Sequence, residues 1–166
     1  MHTASVITLS DKGSEGLRTD ESGPAVAEML ARAGYDITDT RILPDEMQTI
    51  CDSLNGMAGR VDLIVTTGGT GLSPRDVTPE ATLSVIERRV PGIPEAMRAA
   101  GMLKTRRAML SRAEAGILRG TLIINLPGSR KAALESLEAV IDTLGHAIEK
   151  LQGATADCGV EEKENH

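Results

Sequence analysis

Three glycines and two aspartates are the residues of this chain best suited to chemistry. Gly68, Gly69 and Gly71 stand in the run Thr67-Gly68-Gly69-Thr70-Gly71-Leu72-Ser73-Pro74-Arg75-Asp76. A glycine reaches φ > 0 and has no Cβ to keep a ligand away from the backbone. Successive N–H groups turned the same way form an anion-binding nest, and a helix opening behind them adds its positive end. Such a loop can cradle a triphosphate. It is not a Walker A loop, since no Gly-Lys-Ser/Thr follows, and it is not the dinucleotide fingerprint. Asp76 stands just past the glycines, where its charge would repel phosphate unless a cation came between them. Mg²⁺ is usually held by one or two carboxylates plus phosphate oxygens and water. Asp45, in Pro44-Asp45-Glu46, is the candidate second carboxylate. Taken singly, these are a tight strand-to-helix turn, a helix N-terminal acid and a turn former beside proline. Together they favour a nucleotide–metal site, with Asp45 and Asp76 as its metal-holding carboxylates.

The surrounding pattern says which elements must bring them together. Residues 5–9 (SVITL) read as a buried strand, and a helix opens at Gly23-Pro24 with an apolar stripe at Val26, Met29, Leu30 and Ala33. Residues 35–43 read as a second strand, with a helix from Pro44-Asp45-Glu46 to about Gly56, and residues 61–66 (VDLIVT) as a third strand buried on both faces. Thr78-Pro79-Glu80 predicts a helix start with a threonine N-cap and proline at its first position. Residues 91–120 look mainly helical, and residues 121–126 (TLIINL) are a fourth strand. From Arg130 a single helix is expected, with Leu134, Leu137, Ile141, Leu144, Ile148 and Leu151 on one face. Strands alternating with helices imply an α/β protein with a mostly parallel sheet. In such a sheet ligands bind beyond the carboxyl ends of the strands. Four loops should meet there: Ser10-Asp11 after Thr8, Pro44-Asp45-Glu46, the glycine loop, and Asn125-Leu126-Pro127-Gly128-Ser129.

Composition narrows the ligands. The chain has 166 residues, enough for one domain, which we place at 1–152, followed by a polar, patternless tail over 153–166 expected to be disordered. No apolar run is long enough to span a membrane, and the first residues lack the pattern of a signal peptide. Two cysteines, Cys51 and Cys158, form no disulfide framework, so a cytoplasmic location is expected. The net charge of −6 argues against general nucleic-acid binding. Between Ile86 and Lys131, however, ten basic residues face three acids, a local excess suited to a small anionic ligand or to solvated helix faces. Tyr35 is the only aromatic among Phe, Trp and Tyr, so any flat ring that binds must lie on aliphatic side chains and glycine backbone. Histidine catalysis is not suggested: His2 and His166 are near the termini and His146 is on the last helix.

At these residues the chain resembles the molybdopterin adenylyltransferases, the MogA/MoaB family whose domain recurs in gephyrin. The signature is the run from Gly68 through Arg75-Asp76-Val77-Thr78-Pro79-Glu80-Ala81-Thr82. Ser10-Asp11 with Ser14, Gly16, Asp20 and Ser22-Gly23-Pro24, then Pro44-Asp45-Glu46, follow the family's order. So do Pro91-Gly92, Glu95-Ala96-Met97-Arg98, Leu110-Ser111-Arg112 and the turn Asn125–Ser129; the likeness covers about residues 4–152. It implies a three-layer αβα sandwich with a mixed, mostly parallel sheet, the MogA-like molybdopterin-binding fold, assembled as a homotrimer. It implies MgATP and molybdopterin as substrates and possible hand-over of product to a molybdenum-insertion protein. By that likeness Gly68, Gly69, Thr70, Gly71, Ser73, Pro74, Asn125, Pro127 and Gly128 bind nucleotide. Ser10, Asp11, Asp20, Ser111, Arg112 and Ser129 lie on the molybdopterin side, and Asp45 and Asp76 serve metal and catalysis. A non-catalytic molybdopterin-binding scaffold and a molybdate-inserting enzyme are the alternative readings. The intact Asp45–Asp76 pair, which binding alone would not require, favours catalysis.

Overall fold

A computed structural model of the chain describes residues 1–153. Six strands form one sheet in the order β2-β1-β3-β6-β5-β4. Strands β1 (Thr3–Leu9), β2 (Asp36–Leu43), β3 (Leu63–Thr67) and β6 (Thr121–Leu126) are mutually parallel. Strands β5 (Ala115–Leu118) and β4 (Arg88–Arg89) add an antiparallel flank. The near-continuous apolar runs are explained by burial on both faces. Along β1, Ala4 and Val6 enter one core while Ile7 and Leu9 enter the other; along β3, Leu63 and Val65 oppose Ile64 in the same way.

Helices cover both faces. The first core also takes Val26 and Leu30 of α2 (Ser22–Arg32), Met97 of α5 (Gly92–Met102), Leu137 of α6 (Arg130–Glu138) and Leu144 and Ile148 of α7 (Ile141–Leu151). The second takes Ile50, Leu54 and Met57 of α3 (Met47–Met57) and Ala81 of α4 (Thr78–Val85). The one remaining helix, α1 (Asp11–Ser14), is a single turn. This is the expected αβα sandwich. The chain leaves β1 for β2 on one side and meets β3 on the other, so a topological switch point lies at the ends of β1 and β3, where Leu9 and Gly68 stand.

Two expectations are corrected. The stretch 91–120 is not mainly helical: after α5 and a 3₁₀ turn at Arg106–Leu110 the chain returns to the sheet as β5. Arg119 (φ 49°) and Gly120 (φ 79°) make the two-residue hairpin turn into β6. Such turns need φ > 0 at both positions and usually announce themselves as Asn-Gly or Asp-Gly, which an Arg-Gly pair hides. The last helix is also two, because the chain tightens at Ala139-Val140 with Val140 N–H donating to the Leu137 carbonyl. Val140 is buried, and both halves keep their stripe on the core. The tail expectation for residues 154–166 lies outside the described residues.

Candidate active site

The four parallel strands end at one sheet edge, and backbone bonds tie those ends together. Ser10 N–H donates to the Leu43 carbonyl (2.9 Å), Gly68 N–H to the Leu126 carbonyl (3.1 Å), and the Thr67 hydroxyl to the Pro127 carbonyl (2.7 Å). The four predicted loops therefore do converge. The glycine loop needs its glycines for space as much as for conformation. Gly68 has φ 103°, and a Cβ there would fall 2.3 Å from the Leu9 carbonyl oxygen. Gly69 has φ 66°, and a Cβ there would fall 2.3 Å from Thr78 Oγ1 and 2.9 Å from Asp45 Oδ1.

The Gly68 amide is spent inside the sheet. Among the described residues no acceptor pairs with the amides of Gly69, Thr70 or Gly71, so the nest begins one residue later than the glycine run suggests. The expected threonine N-cap is also corrected: Val77 caps α4, while Thr78 is its first residue. The Thr78 hydroxyl instead donates to the Gly68 carbonyl (2.9 Å) and its N–H to the Gly69 carbonyl (3.1 Å), locking the loop onto the helix.

Two cavities open on this edge and meet at Gly69, Asp76 and Gly128. The first, about 540 Å³, contains Ser10, Asp20, Asp45, Gly68 and Ser129. The second, about 400 Å³, contains Thr70, Gly71, Ser111 and Pro127 and is roofed by α5 and the 3₁₀ turn. Asp45 and Asp76 thus share the first cavity. Asp45 Oδ2 accepts from Asp11 N–H (3.1 Å), whereas Asp45 Oδ1 is buried with no hydrogen-bond partner. Burial, then the charges of Asp11 and Asp76, push the Asp45 carboxyl above its ordinary pKa, against the Asp11 N–H bond and Arg75, which lower it. A buried oxygen left unpaired is expensive, and a cation between Asp45 and Asp76 would satisfy it and relieve the repulsion. The described residues offer no cluster of three or more His, Cys, Asp or Glu side chains for a metal. A hard cation held here would therefore complete its shell with ligand and water oxygens, as Mg²⁺ does with phosphates.

Several expected contacts are redistributed. Asn125 is fully buried; its amide donates to Thr66 Oγ1 (3.0 Å) and Thr82 Oγ1 (2.9 Å), and its oxygen accepts from Glu114 N–H (3.1 Å). It lines neither cavity and ties β6 to α4 beneath the glycine loop. Ser73 and Pro74 are exposed on the loop's outer arc, where Ser73 N–H donates to Asp76 Oδ2 (3.0 Å) and so orients that carboxylate. Arg112 lines neither cavity. Its guanidinium donates to the carbonyls of Gly71 (2.7 Å) and Asp76 (2.7 Å) and to Glu80, clamping the loop from behind. Asp20 accepts from the Thr8 hydroxyl (2.6 Å) and Gly23 N–H (3.0 Å), fixing the approach to α2. Ser10 and Ser129 accept from Gly13 N–H (3.0 Å) and Ala132 N–H (3.2 Å), capping α1 and α6. The residues grouped by resemblance on one side are thus divided: Ser10, Asp20 and Ser129 in one cavity, Ser111 in the other.

Other wall residues were not singled out from the sequence. Arg107, Thr105 and Glu135 line the second cavity, and Arg18 and Arg130 the first. The local basic excess contained Arg107 and Arg130 without separating them from Arg89 and Arg119, which bond to Glu114 and Asn55. Nothing in the sequence marked Arg18. The second cavity has aliphatic walls from Met97, Ala108 and Leu110, the kind of surface a flat ring needs where aromatics are lacking.

Known proteins share this fold and much of this sequence. Residues 5–146 match the family described as a probable molybdopterin binding domain. The chain is 39% identical over 150 residues to the molybdopterin adenylyltransferase of Escherichia coli, covering 86% of this chain and 75% of that one. It is 38% identical over 149 residues to a molybdenum cofactor biosynthesis bifunctional protein of Chlorobaculum tepidum; this covers 89% of the chain, which spans about half (48%) of that relative's length. The crystal structure of the molybdopterin biosynthesis enzyme MoaB from Thermus thermophilus superposes with a TM-score of 0.87 at 47% identity, covering 92% of this chain and 98% of that one.

Proposed function

Because the chain belongs to the molybdopterin-binding domain family of molybdenum-cofactor biosynthesis, we propose that it is a molybdopterin adenylyltransferase, moving AMP from MgATP to the terminal phosphate of molybdopterin. A phosphate oxygen of molybdopterin forms a bond to the α-phosphorus of ATP, the bond from that phosphorus to the bridging oxygen breaks, and pyrophosphate leaves with the electron pair. The attacking phosphate is already an anion near neutral pH, so no strong base is required. The difficulty is bringing two polyanions together.

The observation that carries this reading is Asp45 Oδ1, buried and unpartnered in the cavity that Asp76 and the glycine backbone share. Asp45 and Asp76 would hold Mg²⁺, which when bound neutralises phosphate charge and polarises the α-phosphoryl group. The amides of Gly69, Thr70 and Gly71 would orient phosphate oxygens. Ser10 and Ser129 on one side, and Ser111 with Arg107 on the other, would hold the two substrates on either side of Asp76. Arg112, Asp20 and Asn125 keep these groups in place.

Kinship with this family also supports a homotrimer in the cytoplasm that passes its product to a molybdenum-insertion protein. No helix among the described residues is long and apolar enough to cross a membrane. The test is transfer of label from α-labelled ATP to molybdopterin, with stoichiometric pyrophosphate and strict dependence on Mg²⁺. Binding of both substrates without transfer would make the protein a scaffold. Molybdate-dependent loss of AMP from adenylyl-molybdopterin would make it the inserting enzyme.

A further inference from the structure

Asp11, placed by resemblance beside the substrate, is committed elsewhere. Asp11 and Asp45 form a reciprocal pair: Asp11 N–H donates to Asp45 Oδ2 (3.1 Å), and Asp45 N–H donates to Asp11 Oδ1 (2.9 Å). The bond at Oδ2 restrains the Asp45 carboxylate, and its unpartnered Oδ1 is the oxygen left for a ligand. Arg75 closes the assembly with a bidentate fork, Nε to Asp11 Oδ2 (2.9 Å) and Nη2 to Asp11 Oδ1 (2.8 Å). Arg75 adjoins Asp76 in sequence. One bonded path therefore joins the turns after β1 and β2 to the glycine loop, running Asp45, Asp11, Arg75, Asp76.

This path is poorly suited to stabilising the fold. The side chains of Arg75 and Asp11 are 59% and 32% exposed, and ion pairs so open to water contribute little. It is well suited to geometry, because a planar guanidinium gripping both carboxylate oxygens fixes distance and orientation together. The side-chain bond from Arg75 also holds the Asp11 carboxyl below its usual pKa, keeping it an acceptor.

We propose that Asp11 and Arg75 are positioning residues that aim Asp45 Oδ1 and set its spacing from Asp76, and so determine how tightly the site grips a divalent metal–nucleotide chelate, without touching substrate. This rests on the nucleotide–metal reading above. The test uses the full chain with Asp11→Ala, Asp11→Asn, Arg75→Ala, Arg75→Lys and the double alanine variant. Mn²⁺ binding in the presence of ATP is followed by electron paramagnetic resonance, and AMP transfer gives kcat and KM separately. Asp11→Ala keeps the main-chain N–H on Asp45 Oδ2 but removes the carboxylate that holds Asp45 N–H and Arg75, so each single alanine variant should weaken Mn²⁺ binding and lower kcat by about 10–100-fold, as expected for groups that orient metal ligands. KM for molybdopterin should stay within about twofold. The double variant should be little worse than either single one, because both act through one path. Asp11→Asn keeps an acceptor for Asp45 N–H and Arg75→Lys keeps the charge, so both should fall between wild type and alanine.

Unchanged Mn²⁺ binding and kcat overturn the proposal. So does a raised KM for molybdopterin at unchanged Mn²⁺ affinity, which would return Asp11 to the substrate. If the wild-type chain binds Mn²⁺ with ATP but transfers no AMP, the adenylyl-transfer reading fails while the Mn²⁺ comparison still decides this one. If it binds no Mn²⁺ with ATP, both fail.

Discussion

The two cavities that meet at Gly69, Asp76 and Gly128 are built by opposite means. The one holding Asp45 is a product of the sheet: its floor is the ends of parallel strands, tied to one another by backbone bonds. Its features are carboxylates, hydroxyls, bare main chain and, at its wall, Arg18 and Arg130. The one holding Ser111 is a product of packing: α5 and the 3₁₀ turn are laid over the edge, supplying Met97, Ala108 and Leu110. Its roof is loosely covered, with Leu103 89%, Met109 58% and Leu110 49% exposed. The difference separates two tasks. On the proposed reading, the phosphate and metal charges fall where strand ends are bonded to one another, since preorganised dipoles are worth most when they do not have to move. On the same reading a flat ring falls to the aliphatic side chains of the excursion, Met97, Ala108 and Leu110.

The sharpest way to break this contrast is at the carboxylates. Asp45→Asn and Asp76→Asn should each lower pyrophosphate release by at least about 100-fold with the fold intact; near-normal release by either would remove it from the chemistry. Asp45→Asn should also melt higher than wild type near neutral pH. Because its folded pKa is raised, Asp45 binds its proton in the folded chain at a pH where the unfolded chain has lost it, so the ionised form costs stability above that range. The advantage of asparagine should shrink as pH falls into the carboxylate range; a constant difference from pH 8 to pH 4 would contradict it.

Next is Gly68→Ala, which combines a φ of 103° with a Cβ 2.3 Å from the Leu9 carbonyl oxygen. A loss of about 2–4 kcal/mol in urea unfolding is expected. A loss below about 0.5 kcal/mol would show that the strand-end cavity is not rigid. Across the ridge, Arg107→Ala should raise KM for one substrate about 3–10-fold while kcat stays within about twofold, as for a group that binds ground and transition states alike. A collapse of kcat would move catalysis into the packed cavity and erase the division of labour. Smallest is Arg32→Ala, which breaks the pair with Glu28 on the outer face of α2, where the side chains are 79% and 61% exposed. Stability should change by less than about 0.5 kcal/mol and activity not at all.

What the residues alone determined is the framework and the meeting of the loops that carry Asp45 and Asp76. Apolar runs bounded by polar, glycine and proline turns are local signals, so β1, β3 and β6 could be read directly, with β2 placed by the turns at Gly34 and Pro44, and parallel strands oblige their carboxyl ends to share an edge. That obligation brings Asp45 and Asp76 to one edge. The hairpin turn Arg119-Gly120 and the break at Ala139-Val140 were not legible, because an arginine at φ 49° lacks the usual turn signal and the apolar stripe runs unbroken through the tightening at Val140. The roles of Asp11, Arg112 and Asn125 were decided only in three dimensions, and for one physical reason. A charged or amide side chain can face a ligand or hold the protein together, and the choice depends on which donors and acceptors the fold leaves unpaired beside it. Arg112 meets the Gly71 and Asp76 carbonyls, Asn125 meets Thr66 and Thr82, and Asp45 Oδ1 meets nothing.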